Sequence, residues 1–172
     1  MRYLVYAAAN PSPPKRDLAE GYSFRLWRPS LGQLVPPTLG CKFAMWTLAH
    51  YTRVFRNRDF SVLTIVNPEG KTVHRSCLVP AYLRWPFMGA DDLQISSTWT
   101  DPGERGKGLA TCALSWATTT MSSPGRTLWY VTRDENLASI AVCEKAGFRL
   151  VGHAKRVSRA GLRLFGQLVL EE

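Results

Sequence analysis

The sequence predicts an α/β (α+β) fold around a mixed central sheet, and three observations favour this class. Segments of strand and helix character alternate through residues 93–157, a hairpin pattern occupies residues 60–79, and the composition is that of a globular protein. With 172 residues, 45% of them apolar and 20% charged, the chain can bury a core without metal or disulfide support. We therefore expect a single domain over residues 1–172.

The N-terminal third is expected to contribute two strands and a helix. Residues 1–9 form an apolar run that favours a strand and is too short to span a membrane. The proline-rich stretch 10–17 breaks the pattern, so residues 1–21 are interpreted as an extra N-terminal segment. Residues 22–27 alternate between polar and apolar as a strand does, and apolar residues recur at helical spacing across 43–51.

A β-hairpin is predicted in the middle of the chain. Residues 60–66 and 72–79 have strand character, and the turn-forming sequence at 67–70 separates them. Residues 82–89 are rich in aromatic side chains and prolines, which is typical of a loop that packs on a core. This loop leads into the second half of the chain.

The second half repeats a strand-to-helix pattern twice. Each predicted strand is rich in β-branched and aromatic residues, and each predicted helix carries apolar residues at helical spacing. The predicted elements of this half are strands at 93–100 and 127–132, helices at 109–120 and 136–147, and two closing strands at 148–157 and 162–170.

The connection between the first strand and the first helix of this half, residues 101–110, is a candidate anion site. Gly106 and Gly108 let the backbone approach a ligand closely, and the unpaired amides at the start of the following helix attract negative charge. A P-loop is excluded because Lys107 is followed by glycine and leucine. The dinucleotide fingerprint is excluded because Thr111 stands where its third glycine is required.

Two segments resemble motifs of the GNAT superfamily, the acyl-CoA-dependent N-acyltransferases. The turn Arg105-Gly106-Lys107-Gly108-Leu109-Ala110 resembles the Arg/Gln-x-x-Gly-x-Gly/Ala signature, which holds the coenzyme A pyrophosphate. Residues 136–148 are similar to a later motif, in which an asparagine begins a helix and Gly-Phe ends it. The sequence of residues 136–148 also resembles that of the ribosomal-protein acetyltransferase branch of the superfamily. Because both motifs occur in order, the chain is identified as a member of this superfamily.

The resemblance implies the GNAT fold, with a mixed sheet of six to seven strands that is splayed between its fourth and fifth strands and flanked by about four helices. Residues 94–100 and 127–132 correspond to the splayed strands, and the pantetheine arm of acetyl-CoA is expected between them. The residues that the resemblance implies as coenzyme contacts are Trp99, Thr100, Arg105, Gly106, Lys107, Gly108, Leu109, Ala110, Asn136 and Ser139.

The activity implied by the resemblance is transfer of an acetyl group from acetyl-CoA to a primary amine by direct attack. The acceptor stays open among a small molecule, a sugar or sugar nucleotide, and a protein N-terminus. We expect the aromatic residues Tyr82, Trp85 and Phe87 to contact it. A non-catalytic acyl-CoA-binding module is the alternative function.

Two residues are candidates for proton transfer. His74 lies on the predicted hairpin, and the ordinary pKa of its side chain suits a general base, with Asp91, Asp92, Tyr82 and water relays as alternatives. The resemblance implies a tyrosine acid seven residues after the helix-starting asparagine, and Cys143 stands there instead. Its thiol could protonate the departing thiolate, and a packing role on the helix face is the alternative.

Charge and cysteine content limit the partners that the chain is expected to have. The formal net charge of +9 raises nucleic acid as a partner, but the basic residues are scattered and no nucleic-acid motif occurs, so none is expected. A coenzyme with several phosphates suits a basic surface. Four cysteines without zinc-like spacing predict reduced thiols, no metal and a cytoplasmic location. The apolar strand at 162–170 leaves a monomer and a homodimer equally open.

Overall fold

The structure, a computed structural model, describes residues 2–9, 17–36, 43–159 and 162–171. These residues form eight β-strands and three α-helices. The strands are β1 (Arg2–Ala8), β2 (Ser23–Trp27), β3 (Ser61–Val66), β4 (Thr72–Pro80), β5 (Leu93–Thr100), β6 (Leu128–Arg133), β7 (Arg149–Arg159) and β8 (Leu162–Leu170). The helices are α1 (Ala44–Tyr51), α2 (Leu109–Thr120) and α3 (Leu137–Lys145).

The strands form one mixed sheet in the order β2-β3-β4-β5-β6-β1-β7-β8. Every neighbouring pair is antiparallel except β5 and β6, which run parallel. Their pairing is confined to residues 93–95 and 128–130, although β5 continues to Thr100 and β6 to Arg133. The two strands therefore separate along their second halves. Counted without β1, they are the fourth and fifth strands, which confirms the predicted splay.

The N-terminal segment is the main departure from the expected architecture. Strand β1 lies inside the sheet, antiparallel to β6 on one side and to β7 on the other. The sheet therefore has eight strands where six to seven were expected. The described residues contain three α-helices where about four were expected.

Each face of the sheet carries its own apolar core. Helices α2 and α3 cover one face, where Leu93, Ile95 and Leu128 are almost completely buried. Helix α1 and the aromatic loop at 82–89 cover the other face. Because successive strand residues point to opposite faces, neighbouring residues of β5 and β6 contribute to different cores.

The predicted elements are confirmed to within a few residues at their ends, including the hairpin β3–β4 and the closing pair β7–β8. The proline-rich residues 10–16, Pro37, Cys41 and the turn residues 160–161 lie outside the described residues. Among the residues described, no helix is both long and apolar enough to cross a membrane.

Candidate active site

A cleft of about 450 Å³ lies where β5 and β6 separate, and the N-terminal part of α2 and one face of α3 form its sides. Of the ten predicted coenzyme contacts, those that line this cleft are Trp99, Thr100, Arg105, Gly106, Gly108, Leu109, Ala110 and Ser139. The structure therefore brings together most of the residues that two separate sequence motifs contributed.

A β-bulge in β5 helps to open the cleft. Arg75 of β4 pairs with Trp99, whereas Cys77 pairs with Ser96, so β5 has one extra residue in this interval. Ser97 lies within the bulge, and its φ of 50° is in the left-handed region. Bulges bend and twist a strand, so β5 turns away from β6 shortly after their last paired residues. The guanidinium of Arg75 lies 5.5 Å from the ring centroid of Trp99 and fixes that side chain at the cleft wall.

The glycine turn has the geometry of an anion cradle. Gly106 and Gly108 both have positive φ values, 81° and 82°, which other residues adopt at a cost. Gly108 is the N-cap of α2, so the unpaired amides and the positive end of that helix face the cleft. Arg105, whose Nε donates to the Thr100 carbonyl at 3.3 Å, and Lys145 add positive charge to the lining.

Lys107 and Asn136 are the two predicted coenzyme contacts that do not line the cleft. Lys107 braces the turn, with its Nζ 2.9 Å from a Glu104 carboxylate oxygen and donating to the Tyr22 hydroxyl at 3.2 Å. The Asn136 side chain accepts a hydrogen bond from the backbone amide of Ser139 at 3.1 Å and so caps α3. Both residues hold cleft-forming backbone in place.

His74 lies behind the cleft wall and does not line it. Its side chain is completely buried, with Nδ1 2.8 Å from the Thr100 hydroxyl and Nε2 3.1 Å from the Ser76 hydroxyl. Ser76 in turn lies 3.2 Å from the hydroxyl of Thr98. Burial lowers the pKa of His74 to about 4, so its ring is neutral at pH 7. The imidazole therefore reaches the cleft only through threonine hydroxyls.

Cys143 also lies outside the cleft. Its side chain is completely buried in the core between α3 and the sheet, and burial raises the pKa of its thiol, so the thiol stays protonated. The neighbouring Val142 lines the cleft instead. The structure thus places Cys143 in the packing environment that was its alternative role.

Tyr130 is a cleft residue that sequence reasoning missed. It pairs with Ile95 at the last position where β6 is paired with β5. Its side chain hydrogen-bonds to those of Ser139 and Thr98. Burial raises its pKa despite these bonds, so the phenol is protonated at neutral pH. An aromatic residue in a strand carries no sequence signal for such a position, because strands favour aromatic residues in general.

The three predicted acceptor contacts do not line this cleft. Tyr82 and Trp85 pack edge to face at 4.7 Å between ring centroids, and Phe87 packs on Trp129 at 5.0 Å. Trp85 lines a second cavity on the other face of the sheet. Of the alternative bases, Asp92 is buried and accepts three hydrogen bonds, from the Gly89 and Thr127 amides and from the Trp129 indole, so it joins structural elements.

Comparison with known proteins agrees with this geometry. The family model for the acetyltransferase (GNAT) family matches residues 41–148, more than half of the sequence. The chain therefore belongs to the acetyltransferase (GNAT) family, whose members generally use acetyl-CoA as cosubstrate. A search of curated proteins finds no match.

Solved structures share the fold at low sequence identity. A GCN5-related N-acetyltransferase from Sphaerobacter thermophilus superposes with a TM-score of 0.60 at 18% identity, over 88% of this chain and 49% of that one. A GNAT-family acetyltransferase from Colwellia psychrerythraea gives a TM-score of 0.54 at 16% identity, over 88% and 53% of the two chains. This chain thus spans about half the length of both similar proteins.

The residues present fit an acyl-CoA. The cleft offers a positively charged turn for phosphates and an unpaired strand edge for an amide-bearing arm. Within the described part of the chain, no group of three His, Cys, Asp or Glu side chains is arranged to hold a metal ion.

Proposed function

We propose that this chain transfers an acetyl group from acetyl-CoA to a primary amine. The observation that carries the proposal is the position of the glycine turn at one end of the gap between β5 and β6. A phosphate-bearing end held at residues 105–110 directs an extended arm along the open edge of β5 toward the bulge at Ser97.

The chain's own groups can support each part of the transfer. Amides on the open edge of β5, around Trp99 and Thr100, stabilise negative charge on the thioester oxygen as the amine attacks its carbonyl carbon. The new C–N bond forms, the C–S bond breaks, and the sulfur leaves as a thiolate. The Tyr130 hydroxyl, a protonated donor in the cleft, gives that thiolate its proton.

His74 is proposed as the group that takes up the amine proton. It is neutral at pH 7 and contacts Thr100 and, through Ser76, Thr98, both of which line the cleft. The proton must therefore pass through a hydroxyl. The variant His74→Gln keeps hydrogen-bonding groups there but cannot accept the proton, so we expect a lower kcat and an unchanged dissociation constant for acetyl-CoA. An unchanged kcat would remove His74 from the mechanism.

The decisive experiment is an acceptor screen. The protein is mixed with acetyl-CoA and a panel of amines that includes amino acids, amino sugars, sugar nucleotides, small alkyl amines and short peptides with a free N-terminus. Thiol release is followed, and acetyl-CoA affinity is measured by calorimetry. Amine-dependent thiol release supports the proposal. Tight acetyl-CoA binding without turnover on any amine contradicts it and supports an acyl-CoA-binding module.

A further inference from the structure

A second cavity, of about 210 Å³, lies on the opposite face of the sheet from the cleft. Its lining combines two arginines with two buried polar side chains: Arg84, Arg156, Gln94 and Trp85. If liquid water occupies about 30 Å³ per molecule, the cavity has room for roughly seven waters, which is the scale of a small metabolite.

The polar atoms of Gln94 and Trp85 are two buried groups that a bound ligand could satisfy. Gln94 is 4% exposed and Trp85 is 5% exposed. Neither Oε1 of Gln94 nor Nε1 of Trp85 has a hydrogen-bond partner among the described residues. An unsatisfied buried polar atom costs roughly 1–3 kcal/mol, so two at one cavity indicate that something else completes them.

The two atoms have opposite requirements. Trp85 Nε1 can only donate, and together with the guanidinium groups of Arg84 and Arg156 it forms a site for an oxyanion. Arg84 also hydrogen-bonds to Tyr82, but a guanidinium has five N–H donors, so others remain for a ligand. Gln94 Oε1 is an acceptor, which suits an N–H group. The cavity therefore matches a molecule with an anionic end and an amine end.

The backbone keeps this lining in place. Leu168 of β8 donates its amide to the Arg84 carbonyl at 2.9 Å, and the Gln167 side chain donates to the Leu83 carbonyl at 2.8 Å. These bonds tie the aromatic loop to the edge of the sheet. Arg84 and Trp85 thus hold fixed positions opposite Arg156 on β7.

The cavity lies across the sheet from the cleft. Leu93 and Ile95 belong to the core on the α2/α3 face, so the intervening Gln94 projects to the other face. Tyr130 lines the cleft, while the next residue, Val131, lines the cavity. Cleft and cavity therefore lie on opposite faces of the sheet, near the point where β5 and β6 separate. An amine held at Gln94 lies one residue from the last paired position of β5, beyond which the gap between the strands begins.

We propose that this cavity is the acceptor site and that it selects a small primary amine carrying a carboxylate or phosphate group. This inference rests on the proposed acetyl transfer. The anion contacts Arg84, Arg156 and Trp85, and Gln94 orients the amine toward the gap between the strands.

The test compares matched amines at saturating acetyl-CoA. Two pairs test the carboxylate: glycine is compared with glycinamide, and L-phenylalanine with L-phenylalaninamide. O-phosphoethanolamine is compared with ethanolamine for the phosphate. Rates are corrected to equal concentrations of neutral amine, because the paired compounds differ in amine pKa. We expect kcat/KM to be at least about tenfold higher for the anionic member of one pair, and the pair that responds identifies the anion.

Arginine variants locate the selectivity. Arg84→Gln and Arg156→Gln should each raise KM for the anionic amine about tenfold and reduce its kcat/KM advantage over the neutral amine by about the same factor. Arg25 is an exposed residue of β2, so Arg25→Gln removes the same charge far from the cavity and should leave KM for both amines unchanged. Thermal melting verifies folding. Trp85→Phe, which removes the indole N–H donor and part of the ring volume, repeats the test without changing charge.

Binding measured without turnover separates this inference from the proposed function. The protein saturated with coenzyme A is titrated calorimetrically with glycine and with O-phosphoethanolamine. Anion binding that both arginine variants weaken, without acetyl transfer, would support the site and contradict the enzyme. Transfer to amines with no preference for the anionic members, unaffected by either arginine variant, would overturn the site and leave the enzyme intact.

Discussion

Removal of the His74 imidazole is expected to change how the protein's stability depends on pH. In the folded chain this ring is completely buried, and its pKa is about 4 instead of the ordinary 6.5 because burial disfavours the charged form. The variant His74→Gln retains groups that can bond to Thr100 and Ser76 but does not titrate. The comparison therefore isolates one proton.

The magnitude follows from linkage between protonation and folding. Below pH 6.5 the unfolded chain takes up a proton at His74, whereas the folded chain does not until the pH approaches about 4. The wild-type protein therefore loses stability as the pH falls through this window, and the loss levels off below it. A difference of about 2.5 pKa units corresponds to roughly 3 kcal/mol of unfolding free energy.

Urea unfolding at pH 4, 5, 6 and 7, followed by tryptophan fluorescence, measures this effect. The wild type and His74→Gln should each change with pH through their other groups, including His50, whose pKa burial also lowers. The free-energy difference between the two proteins should shift by roughly 3 kcal/mol in favour of the variant between pH 7 and pH 4. A difference that stays constant over this range would refute the buried, neutral state of His74.

Three further changes test the cleft and its support. Gly108→Ala places a side chain at a φ of 82° on the cradle and should weaken acetyl-CoA binding. Gly125→Ala, at a φ of 78° outside the cleft, should lower only the free energy of unfolding, by about 1 kcal/mol. Calorimetry measures the first effect and thermal melting the second. Tyr130→Phe should lower kcat about a hundredfold without changing acetyl-CoA affinity, and an unchanged kcat would exclude it as the acid. Asp92→Ala removes an acceptor of three hydrogen bonds and should cost about 3 kcal/mol in urea unfolding, whereas the exposed Asp91→Ala should cost less than 1.

The sequence predicted those features that depend on short-range patterns. The turn at 105–110 and the cap at Asn136 were recognisable because glycine conformation and helix capping are encoded within a few residues. The interior position of β1 was not, because pairing with β6 and β7 joins residues more than a hundred positions apart and leaves no local signal.

The same distinction applies to the functional residues. His74 was found by residue type, but its burial behind Thr100 depends on how β4 and β5 pair. Tyr130 and Gln94 look like ordinary strand residues in the sequence. They acquire chemical significance only because β5 and β6 separate just beyond them, which is a property of the assembled sheet.

The interior position of β1 also constrains the order of folding. Among the strands that the structure describes, β7 and β8 do not pair with β6 and join the remaining sheet only by the pairing of β7 with β1. A chain emerging from the ribosome would hold residues 2–8 without either partner strand until residues beyond 128 had been synthesised. Closing so long a loop is entropically costly and slows folding. The sheet can thus reach its native order only in a late step, when residues 2–8 meet β6 and β7.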